Sequence, residues 1–319
     1  MIKKFLLIFI SALILVSCSA SVISPSNNGN NSGNGTEEGG DGGSGGDGGG
    51  TDIPWTEIEP PLMPPYPILD AEAIKYGIDI SQEDNLIKEQ IKTRLEECKK
   101  EGREYKIIFT GTPKAEYSQQ SSLAKFVLDA ANDLGIYYKN IEIDISKIYF
   151  NERKVKSSMF KGFPSFADCT ITFKFPENSI RVIEGNAFSL FSKHFKEIAI
   201  PDSVIGIKAA AFQKDSSLEK ITISENSKLE YIGELAFSYS KVKEIVIPAS
   251  VTSLGRKPFG ESLTTVTYLG TKPNTISNNG DVFEDCVSLT TLIVPNAENE
   301  KDEGWKTFLG HKFTTVKKQ

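Results

Sequence analysis

A phenylalanine returns along this chain at a nearly constant interval. Phe166, Phe188, Phe212, Phe237, Phe259 and Phe283 are separated by 22, 24, 25, 22 and 24 residues. Ile183, Ile207, Ile232 and Leu254 each stand five positions before one of these rings, and Ile180, Val204, Leu229 and Val251 stand three positions earlier again. After the rings come alternating runs such as Lys220-Ile221-Thr222-Ile223. Pro201, Pro248 and Pro295 close three of these runs, where a residue without an N–H ends a β ladder. A unit of roughly 23 residues is too short to bury its own apolar side. Stacking solves this, because each Ile, Leu and Phe then packs on its counterpart in the next unit while the strands align in parallel.

Runs centred near Ile107, Ile143, Phe173, Ile198, Ile221, Ile245, Val266 and Leu292 predict about eight such strands. Ahead of the repeats, Ile87, Ile91, Leu95 and Cys98 recur at helical spacing. Tyr105-Lys106-Ile107-Ile108-Phe109 reads as a strand ended by Gly111 and Pro113. Leu123, Phe126, Val127, Ala130 and Leu134 mark a second amphipathic helix with Gly135 at its end, and Ile141, Ile143 and Ile145 then alternate with Glu142 and Asp144. Helix, strand, helix, strand in this order predicts parallel strands with helices packed on one side.

Ile200-Pro201-Asp202-Ser203-Val204-Ile205-Gly206-Ile207-Lys208-Ala209-Ala210-Ala211-Phe212 and Ile247-Pro248-Ala249-Ser250-Val251-Thr252-Ser253-Leu254-Gly255 resemble the unit of the BspA-like leucine-rich repeat family of bacterial surface proteins. Phe283-Glu284-Asp285-Cys286-Val287-Ser288-Leu289 is similar to that family's following segment. The resemblance covers roughly residues 141 to 308. The stretch Val294-Pro295, Gly304-Trp305 and Phe308 is similar to the end of such arrays and would cap the last coil. Three departures stand out: Phe166 to Pro176 is shortened, Ile276 lies seven residues before Phe283, and Lys272-Pro273 replaces the usual turn. The expected fold class is α/β, a leucine-rich-repeat solenoid with one parallel sheet and an N-terminal helical capping region.

The ends add an address. Lys3 and Lys4 precede an apolar run, Phe5 to Val16, that is too short for a comfortable membrane span. Leu15-Val16-Ser17-Cys18 resembles the bacterial lipobox, which implies cleavage after residue 17 and acylation of Cys18. Each buried CH2 of acyl chain contributes about 0.8 kcal/mol, and two or more chains anchor stably. A Gly/Ser/Asn/Asp tract follows that cannot bury enough apolar surface to fold, then Pro60, Pro61, Pro64, Pro65 and Pro67 stiffen the chain. The expected division is a signal peptide at 1–17, a lipidated tether at 18–81, a capping region at 82–140, repeats at 141–295 and a C-terminal cap at 296–319.

Charge and cysteine count exclude several functions. The formal charge is -6, and the seven acids before residue 61 leave the body with 34 basic against 35 acidic residues. So neutral a body lacks the basic stripe of a nucleic-acid binder. Cys98, Cys169 and Cys286 are an odd set beyond Cys18, so they cannot pair completely within one chain. The register makes Cys169 and Cys286 small buried hydrophobes, while Cys98 is left open to an intermolecular bond. No Cys or His pair has metal-ligand spacing, and neither a metal nor a cofactor is expected. His194 and His311 read as plain surface or capping residues.

Binding is the expected function. If Ile221 and Ile223 point inward, Lys220 and Thr222 point outward. The same register turns out Thr172 and Lys174, Glu197 and Ala199, Glu244 and Val246, Thr265 and Thr267, and Thr291 and Ile293. With Glu142 and Asp144 they form one exposed ribbon, suited to an extracellular protein or glycan partner and not to nucleic acid. The family resemblance implies an adhesin at the cell surface that attaches to host matrix proteins or to other bacteria, and a monomer held to the membrane only by its lipid is expected. An envelope assembly lipoprotein is the second reading. A glycan-acting hydrolase, the third, would need a cleft with paired carboxylates.

Overall fold

The structure is a computed structural model that describes residues 66–163, 168–278 and 281–318. The expected signal peptide, Cys18, the expected tether as far as residue 65, and Phe166 lie outside the described residues.

Among the described residues three α-helices alternate with the first strands: α1 (Ala71–Tyr76), α2 (Asp84–Glu101) and α3 (Leu123–Asp133). The Asp70 side chain caps α1 by accepting from the Ala73 N–H at 2.8 Å, and Gly102 ends α2 in the left-handed conformation at φ 64°. The strands, in chain order, are β1 (Gly77–Asp79), β2 (Tyr105–Gly111), β3 (Asn140–Ile148), β4 (Lys154–Val155), β5 (Thr170–Lys174), β6 (Val182–Ile183), β7 (Glu197–Ala199) and β8 (Gly206–Ile207). They continue as β9 (Lys220–Thr222), β10 (Tyr231–Ile232), β11 (Glu244–Ile247), β12 (Ser253–Leu254), β13 (Thr265–Tyr268), β14 (Ser277–Asn278), β15 (Thr291–Ile293) and β16 (Thr315–Lys317).

Among the described residues every ladder is parallel. One stack runs β1-β2-β3-β5, then β7-β9, then β11-β13-β15-β16. Its segments are joined by the Ile171–Phe195 bridge and by the Lys241 N–H donating to Leu218 O at 2.8 Å. The eight strands read from sequence are β2, β3, β5, β7, β9, β11, β13 and β15, and β1 and β16 extend the stack at its two ends. Ile78 and Ile80 are buried beside α2, so the folded chain starts ahead of the boundary expected at residue 81. Two apolar residues beside a Pro-rich tract give too short a pattern to read.

A second, narrow sheet corrects the expectation of a single one. Its order is β14-β12-β10-β8-β6-β4, with two residues per strand. The apolar residue five positions before each ring is its inward member: Val155, Ile183, Ile207, Ile232 and Leu254 are all buried. A two-residue strand has no alternation to reveal it in sequence.

The repeated phenylalanines stack between the sheets. Phe188 lies on Phe212 at 5.2 Å and Phe212 on Phe237 at 5.1 Å between ring centroids. Farther along, Phe259 lies on Phe283 at 5.8 Å. The ring below Phe188 is Phe160, at 5.5 Å and 14° from parallel, so the described column starts there. Two residues before each ring the backbone turns left-handed, at Ser158, Asn186, Ala210, Leu235, Lys257 and Asp281 (φ 46–60°). None of these is glycine, and the cross-coil bonds of the turn hold them there: the Phe188 N–H donates to Ala211 O and the Phe212 N–H to Ala236 O, both at 2.8 Å.

In two coils the side chain three residues after the ring ties its coil to the one before. Asp215 Oδ1 accepts from the Phe191 N–H at 2.9 Å, and Cys286 Sγ donates to Gly260 O at 3.4 Å. Cys98, Cys169 and Cys286 are all buried free thiols. Burial pushes Cys169 up to about 11 and Cys286 up to about 12, so both stay protonated at neutral pH. His194 is not a surface residue: it is fully buried, with Nδ1 2.8 Å from Cys169 O. His311 does cap, with Nε2 2.9 Å from Leu289 O and its ring against Phe313. A 3-10 helix at Glu303–Gly310 closes the last coil with Trp305 and Phe308, the latter 4.9 Å from the Tyr268 ring.

Candidate binding face

The outward column of the long sheet runs Lys106, Glu142, Thr172 by strict register, and farther along Glu197–Lys220, Glu244–Thr265 and Thr265–Thr291–Thr315. The sequence register for these side chains holds, since Ile107, Ile143, Ile171, Ile198, Ile221, Ile245, Val266 and Leu292 beside them are buried, with Phe173 and Val316 partly so. Their surroundings divide the face into three parts.

The first part is tied to itself. Asp144 was expected on the exposed ribbon, but it is 1% exposed. Its carboxylate takes Lys174 Nζ at 2.8 Å and Lys106 Nζ at 3.9 Å, and it accepts from the Ser146 N–H at 2.9 Å and hydroxyl at 2.6 Å. Burial raises its pKa, yet the hydrogen bonds from Lys174 and Ser146 outweigh that and hold it below the ordinary value of 3.8. Lys106 also meets Glu72 of α1 at 2.8 Å and Glu142 at 3.7 Å. Partial burial lowers the Lys106 pKa, but these acids, Glu72 foremost, keep it above its usual 10.5. Thr172 Oγ1 accepts from Asn140 Nδ2 at 3.0 Å. Glu142, Asp144, Thr172 and Lys174 are therefore brought together, as a network that locks β3 and β5 to the capping region.

The middle part is open. Glu197, Lys220, Thr222, Ala199 and Glu244 are exposed. At the start of the same strands stand Lys196, Glu219 and Lys243, also exposed, which the sequence reading passed over. The dipeptides Lys196-Glu197, Glu219-Lys220 and Lys243-Glu244 alternate in sign from coil to coil, and that alternation was the signal available. Backbone bonds fix the order: the Glu219 N–H donates to Lys196 O at 2.8 Å and the Thr264 N–H to Lys243 O at 2.8 Å. None of these six side chains makes an ion pair within 4.0 Å among the described residues.

The last part is uncharged. Thr265, Thr267 and Thr291 are half-buried, with Val246 and Ile293 beside them in register as Val246–Thr267–Ile293. The face thus passes from paired charge through unpaired charge to a β-branched surface.

Two grooves lie off this face. One, of about 240 Å³, is lined by Thr271, Lys272, Glu298 and Asp302 among others. Its carboxylates are engaged: Glu298 accepts from Thr271 Oγ1 at 3.1 Å, and Asp302 accepts from the Gly304 N–H at 2.8 Å as a helix cap. The other is lined by basic residues and polar neighbours. Among the described residues no group of His, Cys, Asp and Glu could hold a metal ion, and no helix is long and apolar enough to cross a membrane.

The family model for the BspA type leucine rich repeat region, six copies long, matches residues 137–265 and again 186–314. Among solved structures, the pneumococcal vaccine antigen PcpA is 24% identical over 51% of this chain and 46% of its own, with a TM-score of 0.37. A leucine rich cell surface protein from Faecalibacterium prausnitzii A2-165 is 18% identical over 54% of each chain, with a TM-score of 0.35. A leucine-rich repeat protein from Bacteroides ovatus ATCC 8483 is 21% identical over 55% of this chain and 60% of its own, at a TM-score of 0.22. The chain spans about half the length of the first two. No curated protein matches it.

Proposed function

The chain belongs to the BspA type leucine-rich repeat family, and from that premise we propose that it is a surface-displayed binding protein, an adhesin, tethered to the bacterial envelope by lipid on Cys18. Its partner is an extracellular protein or glycan, engaged across the outward face from Glu197 to Thr291.

The observation that carries this reading is the block of six exposed charges, Lys196, Glu197, Glu219, Lys220, Lys243 and Glu244, none with an ion-pair partner among the described residues. A network kept for stability alone would pair its charges, as Asp144, Lys174 and Lys106 do. Unpaired, alternating charge beside a Thr-rich surface is instead suited to fixing the register of a partner, because complementary charges steer encounter and reject mismatched surfaces. The neighbour from Faecalibacterium prausnitzii, named as a cell surface protein, is consistent with display outside the cell.

The test is a binding screen of the full chain against extracellular-matrix proteins and bacterial surface glycans. A saturable hit weakened by reversing Glu197, Lys220 and Glu244 together supports the reading. A hit indifferent to that triple change would sink the outward face as the site. Whole-cell protease shaving checks display, and a protein that survives intact would refute it. Metabolic labelling with a fatty-acid probe, lost in Cys18→Ala, checks the anchor.

A further inference from the structure

The basic groove lies off the outward face, beside the narrow sheet, and encloses about 370 Å³. Arg153, Asn178, Arg181, Ser203, Ile205 and Lys228 line it, each just ahead of β4, β6, β8 or β10. Three cations, one amide and one hydroxyl thus converge with a half-buried Ile, and no carboxylate lines the space among the described residues. Two acids nearby in sequence are engaged elsewhere. Glu184 pairs with Lys208 at 2.7 Å and Lys154 at 4.0 Å, and Asp202 accepts from Ser224 Oγ at 2.7 Å. Arg181 and Lys228 have no ion pair within 4.0 Å among the described residues.

Backbone bonds set the spacing. Arg153 O accepts from the Arg181 N–H at 2.7 Å, Arg181 O from the Ile205 N–H at 2.8 Å, and the Lys228 N–H donates to Asp202 O at 3.0 Å. Adjacent coils sit about 4.8 Å apart, so the positive groups form a row on the order of 14 Å long that runs across the coils. Arg153 is held in the left-handed region at φ 55°, a conformation a non-glycine residue adopts at a cost of about 1–2 kcal/mol. A single small oxyanion would meet only part of such a row. A chain of sugars bearing sulfate or carboxylate groups would meet all of it, with Ile205 against the C–H face of a ring.

We infer that this groove binds an extended acidic saccharide, with Arg153, Arg181 and Lys228 taking its anionic groups and Asn178 and Ser203 its hydroxyls. The site is separate from the outward face and does not depend on the partner proposed for it.

The probe is a heparin-derived hexasaccharide, titrated calorimetrically into the full chain at about 0.15 M salt. Saturable binding is expected, weakened at least about tenfold in the double variant Arg181→Gln, Lys228→Gln, since hydrogen bonds to charged groups are lost. A control with the same charge loss elsewhere, Lys272→Gln with Lys312→Gln, should keep its affinity, as should the triple variant of the outward face. No saturable binding, or equal loss in the control, overturns the inference. Inorganic sulfate competing as well as the hexasaccharide would also overturn it, in favour of a small oxyanion. The altered side chains are at the surface, and an unchanged melting temperature of each variant excludes misfolding as the cause.

Discussion

The ring of Phe188 lies on that of Phe212 with centroids 5.2 Å apart and planes 4° from parallel. The pair spans two consecutive coils, and the same contact recurs at Phe212–Phe237. Each ring is therefore packed on its copy in the next coil, which explains why a single repeat could not stand alone.

Removing a ring from the column leaves a hole that neighbouring coils cannot collapse into. Phe212→Ala is expected to cost about 3–5 kcal/mol in denaturant unfolding. A loss under about 1 kcal/mol would mean that the column does not bear on stability.

The coils also approach closely at their corners. A Cβ on Gly233 would lie 2.5 Å from Ala209 N and 2.6 Å from Lys208 C, both backbone atoms. Gly233→Ala is expected to destabilise by about 1–3 kcal/mol through forced separation of the two coils. Unchanged thermal stability would refute so tight a contact.

Asp215 gives a pH dependence of one sign. Full burial lifts its carboxyl well above the ordinary 3.8, against the lowering effect of its bond from the Phe191 N–H. The folded chain then holds the proton more tightly than the unfolded one, so this group costs stability as pH rises above about 4. Asp215→Asn keeps an acceptor and cannot ionise. The stability of the variant relative to the parent should increase between about pH 4 and 7 in paired melting curves. A gap that stays constant with pH would count against the assignment.

Asp144 gives the opposite sign. Its folded pKa is lowered, so its contribution is full above the unfolded carboxylate range and is lost as pH falls through the folded value. Asp144→Asn is expected to cost about 1–2 kcal/mol at neutral pH, kept modest because Lys174 can return to water. Denaturant titrations at neutral and at acid pH should show that cost shrinking on acidification. A cost independent of pH would mean that the charge on Asp144 contributes nothing.

The open charges should behave differently from both. Reversing Glu197, Lys220 and Glu244 is expected to leave unfolding free energy within about 0.5 kcal/mol while abolishing any charge-dependent partner binding. A large stability loss would show that these side chains serve the fold.

Much of the architecture was readable from one dimension. The period of Phe188, Phe212, Phe237, Phe259 and Phe283, and the alternation around Ile198, Ile221 and Ile245, are local patterns that stacking alone can satisfy. The outward register was equally plain, because a strand turns successive side chains to opposite faces whatever its neighbours are. The start of the column was not. Phe160 precedes Phe188 by 28 residues, outside the common interval, and Phe166 offered a better fit to the spacing.

Burial and company were decided only by the tertiary structure. Asp144 has the outward parity that its sequence predicts, yet Lys174, Lys106 and Ser146 converge on it and close it from water. Arg181 follows Arg153 by 28 residues and Lys228 follows Arg181 by 47, and no local pattern links them. The sequence determined the repeat, the inward residues and the family, since a period repeats its own physical requirement in every unit. Which side chains meet across coils depends on the length of each intervening loop, and only the folded stack adds those lengths together.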